Sequence, residues 1–309
     1  MRIIPVATDA LAVSEKIGDF MKNRILFGVM FGLLGLLVVI FPFWPSPLPD
    51  IIVFTSTLIA IFELNKTFGV KNKAVFALSL VFSALVMFYH GYASILNIDI
   101  PVFPVLVIYI IMMLSIIVID FGKTRFEHIG LSIIASIILP SAVASYMKLR
   151  NLYFEYDGLF TKGHIRFLVW FVLGSAVWAD TFALFTGIKF GKHKLCPRVS
   201  PKKTVEGAIG GIIGASASNI IALIICNAVC AKDFPIPVWF MVILSIITPA
   251  VSMLGDLIAS TIKRNYGVKD FGNLIPGHGG MMDRLDSIGI SMPFVYAVLC
   301  FAFKIFSIG

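Results

Sequence analysis

Apolar runs long enough to cross a lipid bilayer recur from one end of this chain to the other, and they leave few folds open to it. A hydrocarbon core ~30 Å thick takes about 20 helical residues to span. Nine stretches meet that requirement: 25–41, 51–68, 74–92, 101–119, 129–147, 165–187, 204–228, 236–262 and 287–306. Of the 309 residues 59% are hydrophobic and only 14% charged, with 28 Phe against 17 Asp plus Glu, so no soluble domain has room to fold beside them. Backbone polar groups in lipid must find partners within their own segment, which favours helices. The expected fold is therefore an all-α integral membrane protein, a polytopic bundle of about nine transmembrane helices. Residues 8–24 place Leu11, Ile17, Phe20 and Met21 near one helical face, with Lys16, Lys22 and Arg24 alongside. Segment 1–24 accordingly reads as interfacial and amphipathic. A basic stretch leading into a cleavable apolar one is not seen there, so no signal peptide is expected. Cys196, Cys226, Cys230 and Cys300 form no CxxC pair and have no histidine at zinc-site spacing, so free thiols are expected.

Nine spans place successive connections on alternate sides, and the basic residues choose between the sides. Nineteen of the 25 Lys and Arg fall with the N-terminal segment and connections 63–73, 120–128, 188–203 and 263–286; six fall on the other side. The positive-inside rule puts the rich side, and the N-terminus, in the cytoplasm. The net charge of +8 is concentrated there, which suits anionic headgroups or a nucleotide. Nucleic acid is a poor partner, because no basic arm or soluble domain exists to hold it. Residues 25–160 form the N-terminal transmembrane part. Nearly all the unusual polarity lies in 161–309, the expected catalytic region.

Asp180 and Asp256 each lie about seven residues before the cytoplasmic end of a span, roughly 10 Å below the same face. A carboxylate at such depth needs a partner or a water-filled cavity. Glu206 opens the next span, and Asp283 and Asp286 lead into the last. These acids can therefore meet at one cytoplasm-facing polar cavity. Carboxylate oxygens suit Mg²⁺, which is commonly shared with substrate phosphates. Lys202, Lys203, Lys263, Arg264, Lys269 and Arg284 stand around them and would complement those phosphates. Internal ion pairing and membrane topology could also account for such charges, and for Lys189, Lys192 and Lys194 topology suffices.

Glycines supply two further features. Pro276-Gly277-His278-Gly279-Gly280 lets the backbone approach an anion closely, or simply reverses the chain before the last span. His278 could donate to a phosphate or orient a carboxylate. Gly207, Gly210, Gly211 and Gly214 make a small-residue stripe that suits close helix packing, within a bundle or a dimer.

From Ser260 to Asp286 the chain reads Ser, two others, Lys-Arg, four others, Lys-Asp, one, Gly, two, Ile-Pro, one, His-Gly-Gly, two, Asp-Arg, one, Asp. This resembles the C-terminal signature of the phosphatidate cytidylyltransferase family, the CDP-diacylglycerol synthases, at every fixed position. The tract WADTFALFTGIKFGKHKLCPRVSPKKTVEG, 178–207, is similar to a second family tract, with Phe182 where the family commonly has Gly and Val205 where it often has Trp. Likeness covers about 110 residues strongly, and a fainter trace surrounds Glu63 in IAIFELNK.

The resemblance implies transfer of CMP from CTP to phosphatidate, giving CDP-diacylglycerol and pyrophosphate, by a Mg²⁺-dependent membrane enzyme that is a homodimer. It implies that a second, monovalent cation such as K⁺ shares the metal site. Carried onto this chain, Asp256, Asp283, Asp180 and Asp286 would bind metal. Lys202, Lys203, Lys263, Arg264, His278 and Arg284 would hold phosphates, and Asp256, Lys263, Asp283 and Arg284 would carry the chemistry. In a bacterium the protein would sit in the inner or plasma membrane. An ion-coupled secondary transporter would also carry intramembrane carboxylates, but no inverted repeat is visible and the polar residues gather at one face. A CTP-dependent polyprenol kinase is a nearer alternative.

Overall fold

The computed structural model describes residues 48–306 except 94, 157, 231, 232 and 275–278, together with 33, 35, 37 and 38. The interfacial segment 1–24, most of the first expected span at 25–41, and His278 lie outside the described residues. Among the described residues eight helices are long and apolar enough to cross a membrane, and they coincide with the remaining eight apolar runs.

Helices α1 (Leu48–Thr67), α2 (Lys73–Phe88), α3 (Val102–Ile119), α4 (Phe126–Val143) and α5 (Ser145–Glu155) make the N-terminal half. A π-helical turn, Tyr89–Ala93, prolongs α2, and α4 and α5 together form one span around Pro140 and Ala144. The C-terminal half holds α6 (Lys162–Phe190), α7 (Val205–Val229), α8 (Val238–Asn265), the single turn α9 (Met282–Leu285) and α10 (Ile288–Ile305). One correction to the all-α expectation is a hairpin between α6 and α7, of strands β1 (Lys194–Cys196) and β2 (Ser200–Thr204), paired antiparallel with Lys194 opposite Thr204. Glu206 closes its base by accepting from the backbone N–H of Lys192 and of His193 at 3.1 and 3.2 Å and pairing with His193 Nδ1 at 2.6 Å.

Local chemistry sets the ends of these helices. Thr161 and His164 form a reciprocal capping box at the start of α6, and Thr204 Oγ1 accepts from Gly207 N–H at 3.1 Å at the start of α7. With 29 and 28 residues, α6 and α8 are each more than ~40 Å long and outreach the hydrocarbon core. The glycine stripe is used inside the chain: side chains at Gly207 and Gly211 would meet the carbonyls of Ala183 and Ala179, and at Gly210 the Thr186 side chain. Gly214 accommodates Phe182, since a methyl group there would lie 2.2 Å from the Phe182 ring.

The core runs through both halves, with Ile61, Ile129, Ile165, Leu168, Val172, Val295 and Leu299 fully buried. Apolar side chains also face outward, among them Val118, Ile119, Ile188 and Val229. A lipid environment removes the cost of such exposure. Buried polar groups tie the N-terminal helices: Asn65 Nδ2 donates to Ser79 Oγ at 2.8 Å, and Ser132 Oγ donates to Asn65 Oδ1 at 2.6 Å. At the opposite end of the bundle Asp50 pairs with Arg150 and accepts from Tyr92 OH at 2.5 Å. All four cysteines are free thiols, as expected. The fold brings His164 beside Cys226 and Cys230, a neighbourhood that spacing alone did not reveal.

Candidate active site

Asp180 lies ten residues before the end of α6 and Asp256 nine before the end of α8, so the two carboxylates sit at one depth, as their positions in the apolar runs require. Gly255 makes their meeting with the last span possible. A side chain there would lie 2.8 Å from the Asp286 carbonyl oxygen, so α8 touches the entry to α10 backbone to backbone.

Each acid of α8 and α9 has a lysine. Lys203, from β2, pairs with Asp256, and Lys263 Nζ donates to Asp283 Oδ1 at 2.7 Å with both side chains nearly sealed from solvent. Asp283 Oδ2 accepts from the backbone N–H of Phe271 and of Gly280, each at 2.9 Å. The Phe271 ring lies 5.3 Å from Lys263 Nζ, a cation–π contact. Asp286 Oδ1 accepts from Ser287 N–H at 2.7 Å. The charges of Lys203, Asp286 and Arg284 all act on Asp180, which joins the cluster from α6. Lys203, in the hairpin, is pulled below the usual lysine range by burial, while the carboxylates of Asp180 and Asp286 oppose that shift.

A cavity of about 340 Å³ opens beside this cluster. Asp180, Lys202 and Lys203 form its polar wall; Leu184, Ile188, Leu195 and Met253 line the rest. Such a cavity presents two lysines and a carboxyl at one wall and apolar side chains at the other.

Of the residues singled out in the sequence, Asp180, Asp256, Asp283, Asp286, Lys203, Lys263 and Arg284 converge, and Lys202 joins them at the cavity wall. Arg264 stands apart, donating from Nε to the Val199 carbonyl at 3.3 Å and from Nη1 to that of Val268 at 3.2 Å. Asp180 is the acid that lines the cavity, with Asp256, Asp283 and Asp286 behind its wall, and Glu206 joins neither, since its carboxylate is turned back onto the hairpin base. What the sequence underrated is Glu63 of α1. Its Oε2 accepts from Met282 N–H at 2.8 Å, across 219 residues of chain. A lone acid inside an apolar run and the faint family trace around it were the only signals.

The donor set of Asp180, Asp256, Asp283 and Asp286 is all oxygen, the set a hard dication takes. As the side chains stand, Asp256 and Asp283 are paired to lysines, and among the described residues no three of these carboxylates bring ligand oxygens within 4.8 Å of one another.

Apolar helices closing over a cluster of acids and bases at one end define an integral membrane protein with an ionic site. Residues 22–302 match the model of the cytidylyltransferase family, and the chain belongs to that family. Among curated proteins it is similar to a phosphatidate cytidylyltransferase of Bacillus subtilis, 32% identical over 286 residues, which cover 90% of this chain and 97% of that protein. It is 43% identical to one of Haemophilus influenzae over 155 residues, 49% of this chain and 51% of the relative. It is 45% identical to one of Staphylococcus saprophyticus over 124 residues, 40% of this chain and 45% of the relative.

Proposed function

We propose that this protein transfers the CMP moiety of CTP to phosphatidate, releasing pyrophosphate and CDP-diacylglycerol, with its site facing the cytoplasm. The observation that carries the reading is the pairing of an acid–base cluster with a cavity that is charged at one wall and apolar elsewhere. Relatives in its family bear the name of that activity.

Phosphatidate places its phosphate against Lys202 and Lys203, and its acyl chains leave along Leu184 and Ile188 of α6 toward lipid. The polyphosphate of CTP meets Lys263 and Arg284. Asp256, Asp283, Asp180 and Asp286 would hold Mg²⁺, which when bound neutralises phosphate charge. A phosphate monoester is largely ionised near neutral pH, so the attacking oxygen needs no general base. It attacks the α-phosphorus of CTP in line, a new P–O bond forms, and the bond to pyrophosphate breaks. The chain's part is positioning, charge neutralisation by its lysines, and shielding of the reacting groups from water.

Purified protein in vesicles, given CTP labelled at the α-phosphate together with phosphatidate and Mg²⁺, should move label into lipid, and chelation should stop the transfer. Label that remains aqueous in folded protein overturns the reading. Label arriving in lipid from the γ-phosphate instead identifies a lipid kinase.

A further inference from the structure

We infer that Glu63, in the N-terminal half, is a positioning residue that holds the signature tract so that Asp283 points at the ionic site; the inference rests on the proposed cytidylyl transfer. Glu63 is 6% exposed on an apolar helix, and its carboxylate reaches out of α1 to the start of α9. It accepts from Met282 N–H at 2.8 Å, with the Met281 amide beside it. Two glycines of the tract close around it. A methyl group at Gly272 would lie 2.2 Å from Glu63 Oε1, and one at Gly280 would lie 2.4 Å from Oε2. Any side chain at either position would occupy the space of the carboxylate, so backbone and acid are fitted to each other.

The same backbone serves Asp283. Phe271 and Gly280, whose N–H groups hold Asp283 Oδ2, are next to Gly272 and Met281 in the chain. The tract is therefore gripped by two carboxylates, one from each half of the protein. Thr67 Oγ1, one turn further along α1, adds a bond to the Phe271 carbonyl at 3.3 Å. With both oxygens of Asp283 committed, its direction toward the site follows wherever Gly280 and Phe271 are placed. Residues that orient a metal-binding or phosphate-binding acid commonly change activity about 10–100-fold when altered.

The test compares the full-length protein with Glu63→Gln, Glu63→Ala and Asp283→Asn. Hydrogen exchange should accelerate in the peptide holding Gly280 and Met282 for both Glu63 variants, with other helices keeping their protection. Turnover should fall about 10-fold in Glu63→Gln and about 100-fold in Glu63→Ala, while KM for CTP stays within about twofold, because Glu63 touches no substrate. Raised Mg²⁺ should restore part of the Glu63→Gln rate and none of the Asp283→Asn rate. Unchanged exchange at Gly280 and Met282 overturns the inference, as does wild-type turnover despite faster exchange. Loss of protection throughout the bundle makes Glu63 a general folding residue and overturns it too. If wild type transfers no label while the exchange arm behaves as expected, the assigned reaction fails and the grip of Glu63 on the tract stands.

Discussion

Ion pairs occupy both ends of this bundle, and they differ in what surrounds them. At one end Asp50 and Arg150 are matched one to one, with side chains 6% and 9% exposed, and the arginine also donates to Asn151 while Tyr92 OH donates to the same Asp50 oxygen as the arginine. At the other end Lys203 and Asp256 are 28% and 21% exposed, beside a cavity, with Asp180 and Asp286 acting on the same lysine. The first pair is closed: its two charges face each other away from solvent, and Asp50 Oδ1 is left buried with no hydrogen-bond partner. The second has acids and bases converging from α6, β2, α8 and the start of the last span. Burial of charge alone therefore does not mark a site here; convergence and access do. Lys263 and Asp283 combine both characters, being as sealed as the first pair while belonging to the second cluster.

Substitutions can pull these characters apart. The largest effect is expected of Asp283→Asn, which should abolish transfer and also destabilise the fold by about 3–5 kcal/mol, since Lys263 would be left charged and buried. Asp256→Asn should cost about 10²–10³-fold in turnover and little in melting temperature, because Lys203 reaches solvent. Parallel assays of rate and thermal unfolding in detergent check both. Near-normal rates in either variant would remove that residue from the site. Arg150→Met should do the reverse, lowering stability by about 3–5 kcal/mol while the folded fraction keeps its kcat. Adding Asp50→Asn should recover much of that loss, as no unpaired charge then remains.

The same contrast explains what the sequence made legible. Spans announced themselves because about 20 apolar residues in a row have few other uses, and eight of those runs became the eight described spans. Asp180 and Asp256 could be brought together on paper, since depth follows from counting residues to a helix end. The hairpin at 194–204 was hidden because its strands are three and five residues long and rich in lysine, with no alternation to betray a buried face. Glu206 resembled another site acid because it opens a helix beside the signature residues, yet its partners are local backbone groups. Glu63 pairs with an amide 219 residues away, and no local pattern reports such a contact. The glycine stripe was readable as close packing, but only the fold shows that its partner is α6.

The smallest effect should come from an acid that is neither sealed nor convergent. Asp120 follows α3 on the same side as the site; its Oδ2 accepts from Asn72 Nδ2 at 2.9 Å and from Thr124 Oγ1 at 2.7 Å, while Lys123 lies 4.0 Å away. The Thr124 and Asn72 donors hold its carboxyl below the ordinary aspartate range. A depressed folded pKa means that the contribution to stability is fully present above the unfolded value, about 3.9. It fades as pH falls through the lower folded value, because the folded state then gains the proton last. Asp120→Asn should therefore shift the melting temperature at pH 7 by no more than about 2 °C, and should flatten the acid limb of the wild-type stability profile. Transfer activity at pH 7 should not change, since Asp120 joins the α3–α4 connection to the start of α2 and no charge of the cluster faces it. A large activity loss in this variant would show that exposed polar ties on this side are coupled to the site, and would blur the distinction between closed and convergent pairs.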